Sequence, residues 1–480
     1  MWKRIIRLNR MALVAVVLIC AISVSGCQSA GTGSGIGSVA MDEVTGAASN
    51  EAADEADEAA GGYTDGGLNG SADRQERDGT LLITATDLHY LSPQLTDYGE
   101  AFTDMMAKGD GKVTEYAPQL MDAFLAEVLD AKPDALVLSG DLAFNGEKQS
   151  HVELAEKLSA VSAQGIPVAV IPGNHDIRYP LSYRYEGGEV YRTANVSSEE
   201  FEEIYHDFGF AQALSRDEHS LSYVFPLSDQ VRLLLLDVNA VEKPGSIPEE
   251  TLEWAKTQLT AAKEAGVTVI GVTHQNTMVH HDMFIRGYRI GNYNKIIQLF
   301  ADYDVPLNLS GHIHIQNITR DTNFNEASTG SLSVWPNLYA VVEVTDQGDI
   351  SYQTKQTNVG GWAKTNKKAA AEMPELLEFE TLAASHFEAC TNGKILDELE
   401  YLEVTDTQRE EMARFVAEAN RLYFSGRLRE QKETLQEQEA WKLLEEKGDW
   451  TFLKEYLDIC MDGSAKPDNE LFIPGEAGVK

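Results

Sequence analysis

Residues 173–176 read Gly173-Asn174-His175-Asp176 and follow directly on the apolar run 167–172. A short apolar run that ends in glycine and then in metal-ligand side chains reads as a buried strand with functional groups at its C-terminal tip. Open α/β sheets place their sites there. Four more stretches of the same kind flank it. Asp87-Leu88-His89 follows 81–86, Gly140-Asp141 follows 135–139, His274 follows 267–273, and Gly311-His312-Ile313-His314 follows 305–310. Five strand tips carrying Asp, Asn or His predict one convergent centre.

Asp87, His89, Asp141, Asn174, His274, His312 and His314 mix hard oxygen with imidazole nitrogen. Such a donor set suits manganese, iron or zinc better than calcium. Seven groups are too many for one tetrahedral ion and right for two divalent ions sharing a ligand. A pair of ions about 3.5–4 Å apart clamps a phosphoryl group and turns a bridging water into hydroxide at neutral pH.

At 480 residues the chain is long for one compact domain and predicts two. Strand-like and helical runs alternate between residues 80 and 171. Leu120, Phe124, Leu125, Val128 and Leu129 recur at helical spacing, and Val152, Leu154, Leu158 and Val161 more loosely. The run 231–237 is almost continuously apolar, as a strand covered on both faces would be. A helix over 248–265 and a strand over 267–273 follow. After His314 come short β segments at 315–319, 338–344 and 350–354. This order predicts a mixed sandwich of two sheets flanked by helices, a domain over 79–357.

Beyond Trp362 the signals are helical. Leu376, Phe379, Ala383 and Phe387 form one stripe, and Met412, Phe415, Val416, Ala419, Leu422 and Tyr423 another. Thr405 with Gln408 has the spacing of a capping box, and Gly426 stands as a helix stop. A C-terminal all-helical domain is expected over 365–480. Its polar faces are rich in Glu and would be repelled by anionic lipid, which favours a bundle core over a membrane-surface role.

The N-terminus reads as a targeting segment. Lys3, Arg4, Arg7 and Arg10 precede an apolar stretch 11–24, shorter than a bilayer span needs. It ends in Val24-Ser25-Gly26-Cys27, which resembles a bacterial lipobox, so residues 1–27 are expected to be a lipoprotein signal and Cys27 the lipid attachment. Lipid chains add about 0.8 kcal/mol of membrane affinity per buried methylene. Residues 28–78 are Gly, Ser, Ala, Asp and Glu with few large apolar groups, an acidic linker that cannot offset its ordering entropy. The expected location is the extracytoplasmic face of a bacterial cell membrane. Cys390 and Cys460 fall on apolar helical stripes, as a disulfide or as buried free thiols.

The formal charge is −37, so no nucleic-acid polymer is expected as partner. A small anionic substrate still approaches if bound cations reverse the field locally.

Taken in order, these motifs resemble the signature of the calcineurin-like metallophosphoesterases: Asp-x-His, Gly-Asp, Gly-Asn-His-Asp, a lone His and Gly-His-x-His, spanning Asp87 to His314. The resemblance implies a four-layer αββα sandwich. It also implies one metal on Asp87, His89 and His314, another on Asn174, His274 and His312, and Asp141 bridging the two. His175 would face the substrate and protonate the departing alkoxide, a task suited to an imidazole titrating near neutrality. Asp176 would orient a histidine from behind or serve a turn.

Departures from sister families narrow the substrate. Ser/Thr protein phosphatases carry arginines beside these motifs, whereas here Gly140-Asp141 continues as Leu142-Ala143-Phe144-Asn145 and Pro172 precedes Gly173. Purple acid phosphatases have a tyrosine iron ligand where this chain has Phe144. Residues 140–151 and 171–180 look like class III cyclic-nucleotide phosphodiesterases, in particular secreted bacterial members with a helical C-terminal domain. The expected activity is hydrolysis of a small phosphodiester, with a cyclic nucleotide as candidate. A phosphomonoesterase or nucleotidase on the same scaffold, or a non-catalytic surface binding lipoprotein, is the alternative. Oligomeric state is not legible.

A few residues stay open. His280 and His281 would rim the cleft or lie solvated in a loop. Arg178 would hold phosphate or a structural ion pair. Trp335 would stack on a base or pack. His151, His206, His219 and His386 show no partner pattern and read as structural.

Overall fold

The computed structural model describes residues 78–107, 109–321, 324–462 and 467–475. The expected signal, Cys27 and nearly all of the expected linker lie outside the described residues.

Two sheets form the frame. The first contains β1 (Thr80–Ala85), β2 (Ala135–Leu138), β3 (Val168–Val170), β13 (Leu338–Val344), β14 (Ile350–Gln356) and β15 (Glu470–Ile473), in the order β15-β14-β13-β1-β2-β3. The second contains β6 (Ser215–Arg216), β7 (Tyr223–Pro226), β8 (Val231–Leu236), β9 (Thr268–Thr273), β10 (Leu307–Ser310), β11 (Asn317–Arg320) and β12 (Asn325–Ser328), in the order β11-β12-β10-β9-β8-β7-β6. A separate hairpin pairs β4 (Tyr183–Glu186) with β5 (Glu189–Arg192). Parallel pairing runs through β1-β2-β3 and through β8-β9-β10-β12, so the motif-bearing strands of each sheet point the same way.

The period of 2 along a strand sorts side chains between layers. On β8, Leu233 and Leu235 join the core shared with the first sheet, while Leu234 and Leu236 face helices Glu249–Ala265 and Tyr293–Asp302. Helices Ala117–Ala131 and Lys148–Ser162 cover the first sheet, burying Leu120, Phe124, Val128, Leu154, Leu158 and Val161. The result is the four-layer helix–sheet–sheet–helix sandwich of mixed α/β type. Phe124 is fully buried, and truncation of such a side chain to Ala typically costs about 3–5 kcal/mol.

The C-terminal region is helical but does not stand apart. Helix Phe379–Leu399 gives Phe379 and Ala383 to the main core, while Phe387 joins Met412, Phe415, Val416 and Tyr423 in a second one. Thr405 and Gln408 form the capping box of helix Asp406–Phe424, and Gly426 follows at φ 73°. One expectation needs correction. The region is not all-helical, because β15 returns to pair antiparallel with β14 and closes the edge of the first sheet. Its four residues follow Pro467 and carry too short a pattern to read as a strand. Cys390 and Cys460 are free thiols, Cys460 buried. Among the described residues no helix is long and apolar enough to cross a membrane.

Candidate metal centre

The tips of β1, β2 and β3 meet those of β9 and β10 where the two sheets present their carboxyl ends together. Backbone bonds lace these tips: Asp87 N donates to Gly140 O (3.0 Å), His89 N to Asp141 O (2.9 Å), and Gly311 N to His274 O (3.0 Å). His312 N donates to Asp87 Oδ2 (2.8 Å), a bond from one sheet to the other. Asp87, His89, Asp141, His312 and His314 all hold φ between 43° and 70°, a left-handed conformation that non-glycine residues rarely adopt. Such strain persists where surrounding bonds over-determine it, and it clusters at functional sites.

Glycines make the close approach possible. A Cβ on Gly173 would lie 2.2 Å from both N and Oδ1 of Asp141, and one on Gly311 would lie 2.0 Å from Thr86 Oγ1. Neither position admits a side chain without moving a ligand residue or its support.

Two groups of ligand atoms result. Asp87, His89, Asp141 and His314 bring ligand atoms within 4.8 Å of one another, as do Asp141, His274 and His312. Asp141 belongs to both. In the first group His89 Nε2 and His314 Nε2 are 3.1 Å apart, and His314 Nε2 is 3.3 Å from Asp87 Oδ1. That buried oxygen has no hydrogen-bond partner. In the second, His274 Nε2 lies 3.1 Å from Asn174 Oδ1 and 3.3 Å from Asp141 Oδ1. The far ring nitrogens face carbonyls: His274 Nδ1 to Ser139 O (2.9 Å), His312 Nε2 to Gly287 O (3.0 Å), His89 Nδ1 to Phe144 O (3.4 Å). A ring N–H donated outward leaves the other nitrogen bare toward the centre, the usual arrangement of ligating histidines. An orphaned carboxylate oxygen among converging bare nitrogens fits a pair of divalent cations.

The charges agree. Burial raises Asp141, but His274 and His175 outweigh it and hold the carboxyl well below its usual range. Burial lowers His274, yet Asp141 and Asp87 push it up to about 9. His312 is pushed down to about 4, by burial first and then by the His274 charge.

His175 is buried, 5.0 Å from His89 between ring centroids and stacked on Tyr179 at 4.4 Å. Its backbone N donates to Asp141 Oδ1 (2.8 Å), and its Nδ1 faces Asn145 Oδ1 (2.9 Å). The expectation of an imidazole titrating near neutrality needs correction. Burial chiefly, with the Lys112 and His314 charges, pushes it down to about 4 despite Asp141. Asn145 and Tyr179 were missed as its partners, because nothing in local spacing links position 145 to position 175.

Asp176 serves the turn. Its Oδ1 accepts from Leu142 N and Ala143 N (both 2.9 Å), and its Oδ2 from Gly173 N (2.7 Å), tying two motif loops together. Burial and the nearby Asp141 raise it to about 7. Behind it His151 bonds Asp176 O (3.2 Å) and Tyr205 Oη (3.0 Å).

His280 and His281 are neither rim nor solvated loop; both are buried. His280 meets Glu326 (3.3 Å) and Asn317 (2.8 Å). His281 packs on Phe284 and Tyr456, with Cys460 Sγ 3.6 Å away. Arg178 is exposed and paired with Glu199 at 3.6 Å. Trp335 packs against Phe387 at 6.0 Å.

Sequence comparison agrees with this geometry. Residues 82–316 match the calcineurin-like phosphoesterase family, and residues 358–466 match the C-terminal domain of cyclic nucleotide phosphodiesterase. A curated protein of Rhodococcus erythropolis named "Probable cyclic nucleotide phosphodiesterase" is 24% identical over 187 residues, 38% of this chain. The chain spans about half of that relative, 52% of its length. Solved structures with a similar fold include a dimetal phosphatase from Danio rerio, at 12% identity and TM-score 0.44, covering 58% of this chain and 97% of that one. A purple acid phosphatase from yellow lupin follows, at 11% identity and TM-score 0.37, covering 58% and 51%. Both scores fall below 0.5, so the assignment rests on the sequence matches and the ligand geometry. Residues 82–316 form a calcineurin-like phosphoesterase domain, and residues 358–466 after it match the C-terminal domain of cyclic nucleotide phosphodiesterase.

Proposed function

We propose that this chain is a binuclear-metal phosphodiesterase that hydrolyses a small phosphodiester, with a cyclic nucleotide as candidate substrate, on the extracytoplasmic face of a bacterial membrane. The observation that carries the chemistry is the sharing of Asp141 between two ligand groups. The diester is supported by the name of the Rhodococcus relative and by the match over 358–466. The membrane location is supported by the charged, apolar and Cys27-terminated start of the sequence.

Asp87, His89 and His314 would hold one ion, and Asn174, His274 and His312 the other, with Asp141 between. When bound, such ions supply Lewis acidity toward phosphoryl oxygens and a water acidic enough to attack near neutral pH. Manganese or iron suits the donors, and zinc is admissible. The chain's own part is placement and proton transfer. Attack by hydroxide oxygen on phosphorus breaks the P–O bond to the leaving alkoxide, which takes a proton from the His175 imidazolium. Asn145 holds Nδ1, so that proton leaves from Nε2. Burial holds that ring down to about 4, so it is neutral near pH 7 and must first take up a proton, which an anionic phosphoester against it favours.

The test compares turnover of 3′,5′-cyclic AMP, 2′,3′-cyclic AMP, an aryl phosphodiester and an aryl phosphomonoester by chelated, manganese-reloaded protein. Diester hydrolysis that needs manganese and Asp141 supports the reading, and turnover of the monoester alone moves it to a phosphatase. For location, Cys27→Ala should move activity from the membrane fraction to the soluble one; unchanged fractionation would remove the lipid anchor.

A further inference from the structure

The segment Gly109-Asp110-Gly111-Lys112-Val113 carries no motif, yet it brings a cation beside the centre. Lys112 is 6% exposed, and its ammonium pairs with the Asp110 carboxylate, itself 10% exposed. Taking a lysine charge out of water costs several kcal/mol unless it is paired. Buried charge pairs are weak devices for stability, so this one calls for another role.

Its position follows from a ladder of bonds. Lys112 bridges antiparallel to Val334, and Val113 N donates to Ser333 O (2.8 Å). Ser333 in turn donates to Asp87 O from its N (3.3 Å) and its hydroxyl (3.0 Å). Two backbone bonds therefore separate Val113 from a metal-ligand residue. The other side is fixed by the C-terminal region. Gly111, at φ 81°, lies against Phe387, where a Cβ would come within 3.1 Å of the ring, and His386 hydrogen-bonds the Lys112 backbone. The Lys112 ammonium thus lies near enough to the His89 and His175 rings for its charge to act on both. Arg178, the other basic candidate, is exposed and turned to Glu199.

We propose that Lys112 is the substrate-side cation of this centre: its ammonium exchanges Asp110 for the anionic oxygens of a phosphoester. The inference rests on reading the centre as a phosphoesterase site. Lysine meets phosphate as a point charge, and a hydrogen bond between charged groups is among the stronger ones a protein makes. The C-terminal helix that bears His386 and Phe387 thereby contributes to substrate binding by holding the segment in place.

The experiment uses full-length, manganese-loaded protein and two readouts: the Kd of inorganic phosphate by calorimetry, and kcat and KM on an aryl phosphodiester. Lys112→Met should weaken phosphate by about 10–100-fold and raise KM more than it lowers kcat. Bound manganese should not change, and Lys112→Arg should restore most of the affinity. Asp110→Asn, which removes the competing carboxylate, should tighten phosphate. A folded, metal-loaded Lys112→Met protein with unchanged phosphate Kd would overturn the assignment. So would Asp110→Asn with weaker phosphate binding, should Lys112→Met fail to fold. Phosphate binding that depends on Lys112 in a protein that turns over no phosphoester would overturn the enzymatic reading and leave the cation in place.

Discussion

Asn145 Oδ1 lies 2.9 Å from Nδ1 of His175, and this amide is the partner that fixes the ring's tautomer. Asn145 is held in turn, its N donating to Glu147 Oε2 (2.8 Å) and its O accepting from Ser182 Oγ (2.5 Å). A neutral amide orients the ring without stabilising its charge, as a carboxylate would.

His175→Ala should therefore keep both metals and slow turnover by about 10²–10⁴-fold, the range of general acid–base catalysis. Asn145→Ala should lose less, on the order of tenfold in kcat, because ring and metals remain while orientation loosens. Single-turnover rates on an aryl diester, with metal content measured beside them, check both. Full activity in His175→Ala would remove it from the mechanism.

Gly173→Ala places a methyl on Asp141, whose N and Oδ1 both lie 2.2 Å from the added carbon. The shared carboxylate must move, so bound metal should fall well below that of the native chain with the fold retained. Elemental analysis and circular dichroism decide this; native metal content would show that the loop adapts.

Burial raises Glu147 from 4.5 to about 7. The folded chain then keeps a proton that the unfolded chain has released between those values. The stability tied to that proton is full below 4.5 and is lost as pH rises through 7. At about 1.36 kcal/mol per pH unit, the loss between pH 5 and pH 8 is about 2–3 kcal/mol. Glu147→Gln, uncharged throughout, should flatten that part of the curve. Urea unfolding of metal-free protein at the two pH values tests it, and parallel curves for the two proteins would contradict it.

Asp468 closes the seam between the helical region and the first sheet. It accepts from Arg429 Nη1 at 3.1 and 2.9 Å, while Arg320 Nη2 donates to Pro467 O (2.6 Å) and Glu470 O (3.0 Å). Asp468→Ala strands a largely buried guanidinium and should cost about 1–3 kcal/mol, with faster proteolysis of the β15 segment. An unchanged denaturation midpoint would mean that β15 docks without this pair.

What the sequence revealed and what it hid follow from the same physics. Strands β1, β2, β3, β9 and β10 are apolar runs ending in ligand residues, so tip and ligand are read together. The strand β12, Asn325-Glu326-Ala327-Ser328, has no apolar signature. Glu326 is buried there because it accepts from Thr277 N (2.9 Å) and Met278 N (2.5 Å), partners about fifty positions away. The hairpin β4–β5 is largely exposed, so no burial pattern marks it. The partners of His175 and the setting of Lys112 are long-range contacts of the same kind. Residues 281 and 460 meet only because the loop after His274 packs into the C-terminal core.

Bound manganese per chain, measured beside hydrolysis of an aryl phosphodiester in native protein and in Asp141→Ala, tests the shared-ligand centre most directly. The account predicts two ions and metal-dependent turnover in the native chain, with paired binding and turnover lost together in the variant. Two ions and undiminished hydrolysis in Asp141→Ala would contradict it.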